Sequence, residues 1–83
     1  MKLVYFARVR EAIGFDTEER ELPADILTVG DCVIWLAGQG MNYATAFSDS
    51  SRLRFALDQQ MVREETLLDD ASELAIFPPV TGG

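Results

Sequence analysis

Eighty-three residues with a formal net charge of −7 and a hydrophobic fraction of 48% make one small domain, near the size at which a single core becomes marginal without metals or disulfides. The negative charge argues against nucleic acid as a partner, and the apolar residues fall in runs too short for a membrane-spanning helix. Histidine is absent and cysteine occurs once, at Cys32, so zinc-type clusters, His-based triads and an internal disulfide are all excluded.

The opening Met1-Lys2-Leu3-Val4-Tyr5-Phe6-Ala7-Arg8 is too short an apolar run, and too soon interrupted by charge, for a signal peptide. A cytoplasmic location is expected, with no membrane association. Lys2 to Ala7 reads as a central strand, with Leu3 and Tyr5 facing the core and Val4 and Phe6 on a second face. After a turn near Gly14, Thr17 to Leu22 reads as an exposed edge strand closed by Pro23. Thr28 then starts a helix as N-cap, with Asp31 completing a capping-box-like pattern and placing negative charge at the positive helix end. Val29, Cys32, Val33, Leu36 and Ala37 recur on one face of that helix, and Gly38 and Gly40 stop it. Tyr43 to Phe47 is expected to add a short irregular or helical piece, followed by a loop at Ser48 to Ser51.

From Arg52 the period becomes two, with Leu53, Phe55 and Leu57 alternating with Arg52, Arg54 and Ala56. Asp58-Gln59 turns the chain into a short return strand carrying Met61 and Val62. Leu67 and Leu68 form a further buried segment, and Asp69 to Ser72 a turn. Glu73 to Phe77 is the last strand, with Leu74 and Ile76 on one face and Ala75 and Phe77 on the other. The order of elements predicts an α+β fold in which a helix covers one face of a mixed sheet of about five strands.

Inside that domain the chemical inventory is poor. No carboxylate pair or activated nucleophile is recognisable, and Cys32 on the apolar helix face reads as a core residue. The uncompensated acids Glu64, Glu65, Asp69, Asp70 and Glu73 favour a basic partner surface. The sequence ends in Pro78-Pro79-Val80-Thr81-Gly82-Gly83. Two final glycines arise by chance in about one chain in two hundred at the usual glycine frequency. Pro78 and Pro79 fix φ and favour an extended exit, and the six residues reach about 20 Å. Gly82 and Gly83 lack side chains, so a narrow channel admits them and a reagent can approach the last carbonyl closely. The carboxylate is inert until activated, for which ATP-dependent adenylation by a separate enzyme is the obvious route.

These features resemble the small, sulfur-carrying subunits of molybdopterin synthase, β-grasp proteins related to ubiquitin and to the thiamine-pathway sulfur carrier. The resemblance rests on Val4-Tyr5-Phe6-Ala7-Arg8-Val9-Arg10-Glu11, the Thr28-Val29 helix start, Ala56 to Val62, and above all Leu74-Ala75-Ile76-Phe77-Pro78-Pro79-Val80-Thr81-Gly82-Gly83. It implies a β-grasp domain over residues 1–77 and an extended tail over 78–83. It further implies adenylation of Gly83 by an E1-like enzyme using ATP, and conversion to a thiocarboxylate with sulfur from a donor. The tail then enters the large synthase subunit, where the sulfur attacks a cyclic pyranopterin monophosphate to build a dithiolene. Such a chain is the sulfur-donating subunit of a transferase, with no catalytic side chain of its own and no permanently bound cofactor or metal. By the same resemblance Phe6, Met61 and Phe77 form an apolar patch that docks both partners. The family's hairpin Asn-Gln is Asp58-Gln59 here, and its Asp-Gly-Asp turn is Asp70-Ala71-Ser72. The tail fits equally a ubiquitin-like modifier joined through Gly83 to lysines, or a sulfur carrier for another pathway such as thiamine synthesis.

Overall fold

The computed structural model describes residues 1–79. In chain order these form β1 (Lys2–Tyr5), α1 (Ala7–Ile13), β2 (Thr17–Glu19), α2 (Val29–Ala37), α3 (Met41–Ala46), a 3-10 turn (Ser50–Arg52), β3 (Arg54–Leu57), β4 (Gln60–Val62) and β5 (Glu73–Phe77). The five strands make one mixed sheet in the order β2-β1-β5-β3-β4. The central pair β1 and β5 is parallel, and every other pair is antiparallel. A parallel pair needs a long crossover, and α2 lies within the segment that supplies it. Its buried Val29, Cys32, Val33 and Leu36 join Leu3, Tyr5, Phe55, Leu74 and Ile76 in the core. This is the expected α+β arrangement, a ubiquitin-like β-grasp fold with one sheet face under helices and the other bare.

The start of α2 follows its sequence signal. Asp31 N–H donates to Thr28 Oγ1 at 3.0 Å and Thr28 N–H donates back to Asp31 Oδ2 at 3.1 Å, closing the reciprocal box. Backbone hydrogen bonds, with that of Leu27 foremost, hold the Asp31 carboxyl below its ordinary range.

Several expectations need correction. The first strand ends at Tyr5 rather than Ala7, because Phe6 is the extended N-cap of α1 and Ala7 has φ 51°, which reverses the chain. The helix α1 stands where the sequence pattern predicts only a turn near Gly14; Val9 and Ile13, four residues apart, are its buried residues, and Gly14 at φ 106° caps it by donating to the Arg10 carbonyl. Strand β2 stops at Glu19 rather than Leu22, since its partner β1 starts at Lys2, opposite Glu19; beyond that point the Arg20 backbone bonds only Met1. Strand β3 starts at Arg54, with Arg52 in the 3-10 turn. The segment after α2 is helical, as α3. Leu68 is buried, but Leu67 is 54% exposed: its bridge to Thr28 points the two neighbours to opposite sides.

The β3–β4 hairpin has φ 48° at Asp58 and 71° at Gln59, the two positive values that a tight two-residue turn matching the strand twist requires. Asp58 also anchors the start of β5, its Oδ1 accepting from the backbone N–H of Ser72 at 2.9 Å and of Glu73 at 3.0 Å. In the turn before β5 the left-handed residue is Asp69, φ 45°, so Ala71 carries no positive φ.

Candidate functional site

The bare sheet face is built by alternation. Register places Val4 of β1 beside Ala75 of β5, Ala75 beside Ala56 of β3, and Ala56 beside Met61 of β4. Leu3, Tyr5, Leu74, Ile76 and Phe55 point the other way, into the core. Two alanines at the middle of this row leave a trough where larger side chains would leave a flat surface. The trough opens into a concavity of about 720 Å³ lined by Phe6, Ala7, Ala56, Gln59, Glu73, Ala75, Phe77, Pro78 and Pro79.

Phe6 and Phe77 form one wall. Their rings meet edge to face, with centroids 6.1 Å apart and planes at 86°, the geometry that ring quadrupoles favour. Phe6 is 48% exposed and Met61 64% exposed, whereas Phe77 is half-buried. Large apolar groups left in water beside a concavity are a familiar mark of an interaction surface. The structure thus brings Phe6 and Phe77 into contact and puts Met61 on the same face two strands away, about 10 Å at the usual interstrand spacing. The first of these contacts depends on Ala7, whose left-handed turn sends the chain from β1 into α1 immediately after Phe6.

Pro78 and Pro79 continue directly from β5 and form part of the groove wall. Val80, Thr81, Gly82 and Gly83, which carry the predicted chemistry, lie outside the described residues. At the other end of the groove Glu73 faces Lys2 across the β1–β5 pair, with Lys2 Nζ 4.0 Å from Glu73 Oε1. Sequence reasoning singled out the aromatic wall and missed the floor: Ala56 and Ala75 are small residues at outward strand positions, and the alternation that assigned Phe77 to this face assigned them too.

Away from the groove, a polar cluster fastens the edge strand to the helices. Glu18 Oε2 accepts from both Tyr5 Oη and Tyr43 Oη at 2.7 Å, and its Oε1 accepts from Arg20 Nε at 2.8 Å. Arg20 also donates to Tyr43 Oη at 3.0 Å and stacks its guanidinium over Trp35. Burial opposes ionisation of Glu18, but the hydrogen bonds from Tyr5, Tyr43 and Arg20 outweigh it and hold its carboxyl below the ordinary range. Burial, then the bond to Glu18, drives the Tyr5 hydroxyl far above its own.

Cys32 is fully buried and its thiol is pushed up to about 11 by burial, so it is not a ready nucleophile. Among the described residues no group of three or more His, Cys, Asp or Glu side chains could hold a metal ion, and no helix is long and apolar enough to cross a membrane.

The sequence matches the ThiS family over residues 3–83. The chain belongs to the ThiS family. Within it, the molybdopterin synthase sulfur carrier subunit of Escherichia coli (strain K12) is 40% identical over 83 residues, which is 100% of this chain and 99% of that one. The protein of the same description from Haemophilus influenzae is 34% identical with the same coverage. Among solved structures, the small archaeal modifier protein 1 of Haloferax volcanii superposes with a TM-score of 0.72 at 25% identity, covering 96% of this chain and 97% of that one. The groove and the Pro78-Pro79 exit described above are thus features of a ThiS-family domain.

Proposed function

We propose that this chain is the sulfur carrier subunit of a molybdopterin synthase. Gly83 is adenylated by an E1-like enzyme at the expense of ATP, converted to a thiocarboxylate by a sulfur donor, and delivered to the large synthase subunit. There the sulfur attacks a cyclic pyranopterin monophosphate and contributes to the dithiolene. The observation that carries this reading is the full-length likeness, at 40% identity, to a protein of that description. Two structural features support it. The one thiol of the domain, that of Cys32, is buried. The bare sheet face offers a groove walled by Phe6 and Phe77 and, just after β5, by Pro78 and Pro79; Met61 extends the same face. On this reading the groove seats a partner, and Val80, Thr81 and Gly82 span the distance from the groove to the partner's active site.

The test is the intact mass after incubation with the activating enzyme, ATP and a sulfur source. Replacement of one oxygen by sulfur, mapped to Gly83, is expected; conjugate ladders with no thiocarboxylate would refute the carrier assignment. Deleting Gly83 should abolish sulfur transfer and leave the melting temperature nearly unchanged, since the last few residues of a domain usually contribute little to its stability. A second reading, protein modification through Gly83, is favoured by the likeness to the small archaeal modifier protein 1, and the same mass experiment separates the two.

A further inference from the structure

A chain that carries an activated acyl group at Gly83 must coexist with its own amines. This one has few. Of its seven cationic side chains six are arginines and one is a lysine, Lys2. A guanidinium stays protonated at any physiological pH and does not attack an acyl group, so arginine supplies positive charge without supplying an acceptor. A lysine ε-amine is the reverse: its neutral form is a competent nucleophile toward activated acyl donors.

Lys2 is also placed to react. It sits on β1 on the bare sheet face, two residues before Val4, at the end of the groove where Glu73 lies. Its side chain is 53% exposed, and its nearest carboxylate, Glu73 Oε1, stands 4.0 Å from Nζ, beyond hydrogen-bond reach. The amino group of Met1 is engaged differently. It donates to Glu19 Oε2 at 2.6 Å and to the Arg20 carbonyl at 3.1 Å, so attack from it first requires breaking both bonds. The Cys32 thiol is enclosed in the core.

We propose that Lys2 is the site at which this chain is acylated by the activated C-terminus of a second copy, giving an isopeptide-linked dimer. This rests on the activation of Gly83 in the proposed function. In the step, the neutral ε-amine attacks the Gly83 carbonyl of an acyl-adenylate. The C–N bond forms, the acyl C–O bond to phosphate breaks, AMP leaves, and the nitrogen loses one proton to solvent. No oxidant or reductant takes part. Lys2 shares its face with the docking groove, so a seated partner covers the amine, and a chain acylated there carries a second molecule across the docking surface. Self-acylation and docking therefore exclude one another, and the scarcity of lysine confines the loss of activated chain to this one position.

The experiment uses the full chain with an intein-derived thioester at Gly83, which supplies the activated acyl group without any activating enzyme. Incubation at pH 8 should yield a dimer of two chains joined with loss of the thiol. Trypsin should release a branched peptide in which the segment from Glu64 to Gly83 is attached to Lys2 within Met1 to Arg8. Lys2→Arg, which keeps the charge, should remove the dimer while leaving the melting temperature unchanged. The wild-type linkage site, read by tandem mass spectrometry, does not depend on the variant. Linkage at Met1, a dimer that persists in Lys2→Arg, or no dimer while added glycinamide consumes the thioester would each overturn the proposal. Failure of the activating enzyme to adenylate Gly83 would count against the carrier reading, and the thioester result would still decide the reactivity of Lys2.

Discussion

Replacing Glu18 by glutamine is the sharpest test of how the edge strand is held. The carboxylate receives three hydrogen bonds, two from tyrosine hydroxyls on Oε2 and one from Arg20 on Oε1. Glutamine keeps one oxygen and turns an NH₂ donor toward the remaining partner. If its oxygen stays with the tyrosines, its amide faces Arg20, and a charge-assisted bond becomes a donor–donor contact. Hydrogen bonds to charged groups are worth about 1.5–3 kcal/mol. The side chain of Arg20 is 28% exposed, so water compensates in part and the low end applies, about 2 kcal/mol. For a domain of this size that lowers the melting temperature by roughly 8–16 °C.

The pH dependence gives the mechanism its signature. The folded carboxyl is held below its ordinary range, so its stabilisation is present above the unfolded value, about 4.3. It is lost as the pH falls through the lower, folded one. Wild type and Glu18→Gln should therefore differ most at neutral pH and converge in acid. Thermal melts followed by circular dichroism from pH 7 down to pH 2.5 would show this. A gap between the two proteins that stays constant across the range would refute the account.

Other perturbations address the remaining elements. Phe77→Ala removes one side of the aromatic wall and should weaken binding of the large synthase subunit by at least about 2 kcal/mol, the usual threshold of an aromatic hot spot; isothermal titration calorimetry would measure it, and unchanged affinity would remove Phe77 from the docking surface. Asp58→Ala leaves a positive φ without a side chain suited to it and frees the N–H groups of Ser72 and Glu73. It should cost about 1–2 kcal/mol in urea unfolding, with no cost expected if Asp58 were an ordinary surface residue. Cys32 should resist thiol reagents at pH 8 in the folded protein and react fully once urea has unfolded it, because burial pushes its thiol up to about 11; rapid native labelling would contradict its place in the core.

What was legible in the sequence was what rests on periodicity and caps. Thr28 and Asp31 mark the start of α2, and the alternation of Leu74 and Ile76 with Ala75 and Phe77 assigns both faces of β5. Features that depend on single backbone angles were not legible. Ala7 at φ 51° breaks the rule that a non-glycine residue avoids this region, and with it α1 was missed, although Val9, Ile13 and Gly14 carry a helix face and a stop. Tertiary pairing overrode local pattern elsewhere: β2 extends only as far as β1 lies beside it, with Arg20 still bonded to Met1, and the bridge from Thr28 turned Leu67 outward. At the candidate site the aromatic residues drew notice, while Ala56 and Ala75 did not, because a floor made by absent side chains has no positive signal. The predicted chemistry at Val80 to Gly83 lies outside the described residues.

The position of β5 has a consequence for how the protein comes into being. It is last of the strands in chain order and third of five across the sheet, paired with β1 on one side and β3 on the other. Until residues 73–77 have been made, β1 and β3 each lack their shared neighbour, and the inward faces of Leu3, Tyr5 and Phe55 have nothing between them. A chain that lacks β5 thus has two open strand edges and no assembled groove, the kind of species prone to aggregate. The sheet, and the groove on its bare face, therefore exist only in a chain that includes residues 73–77.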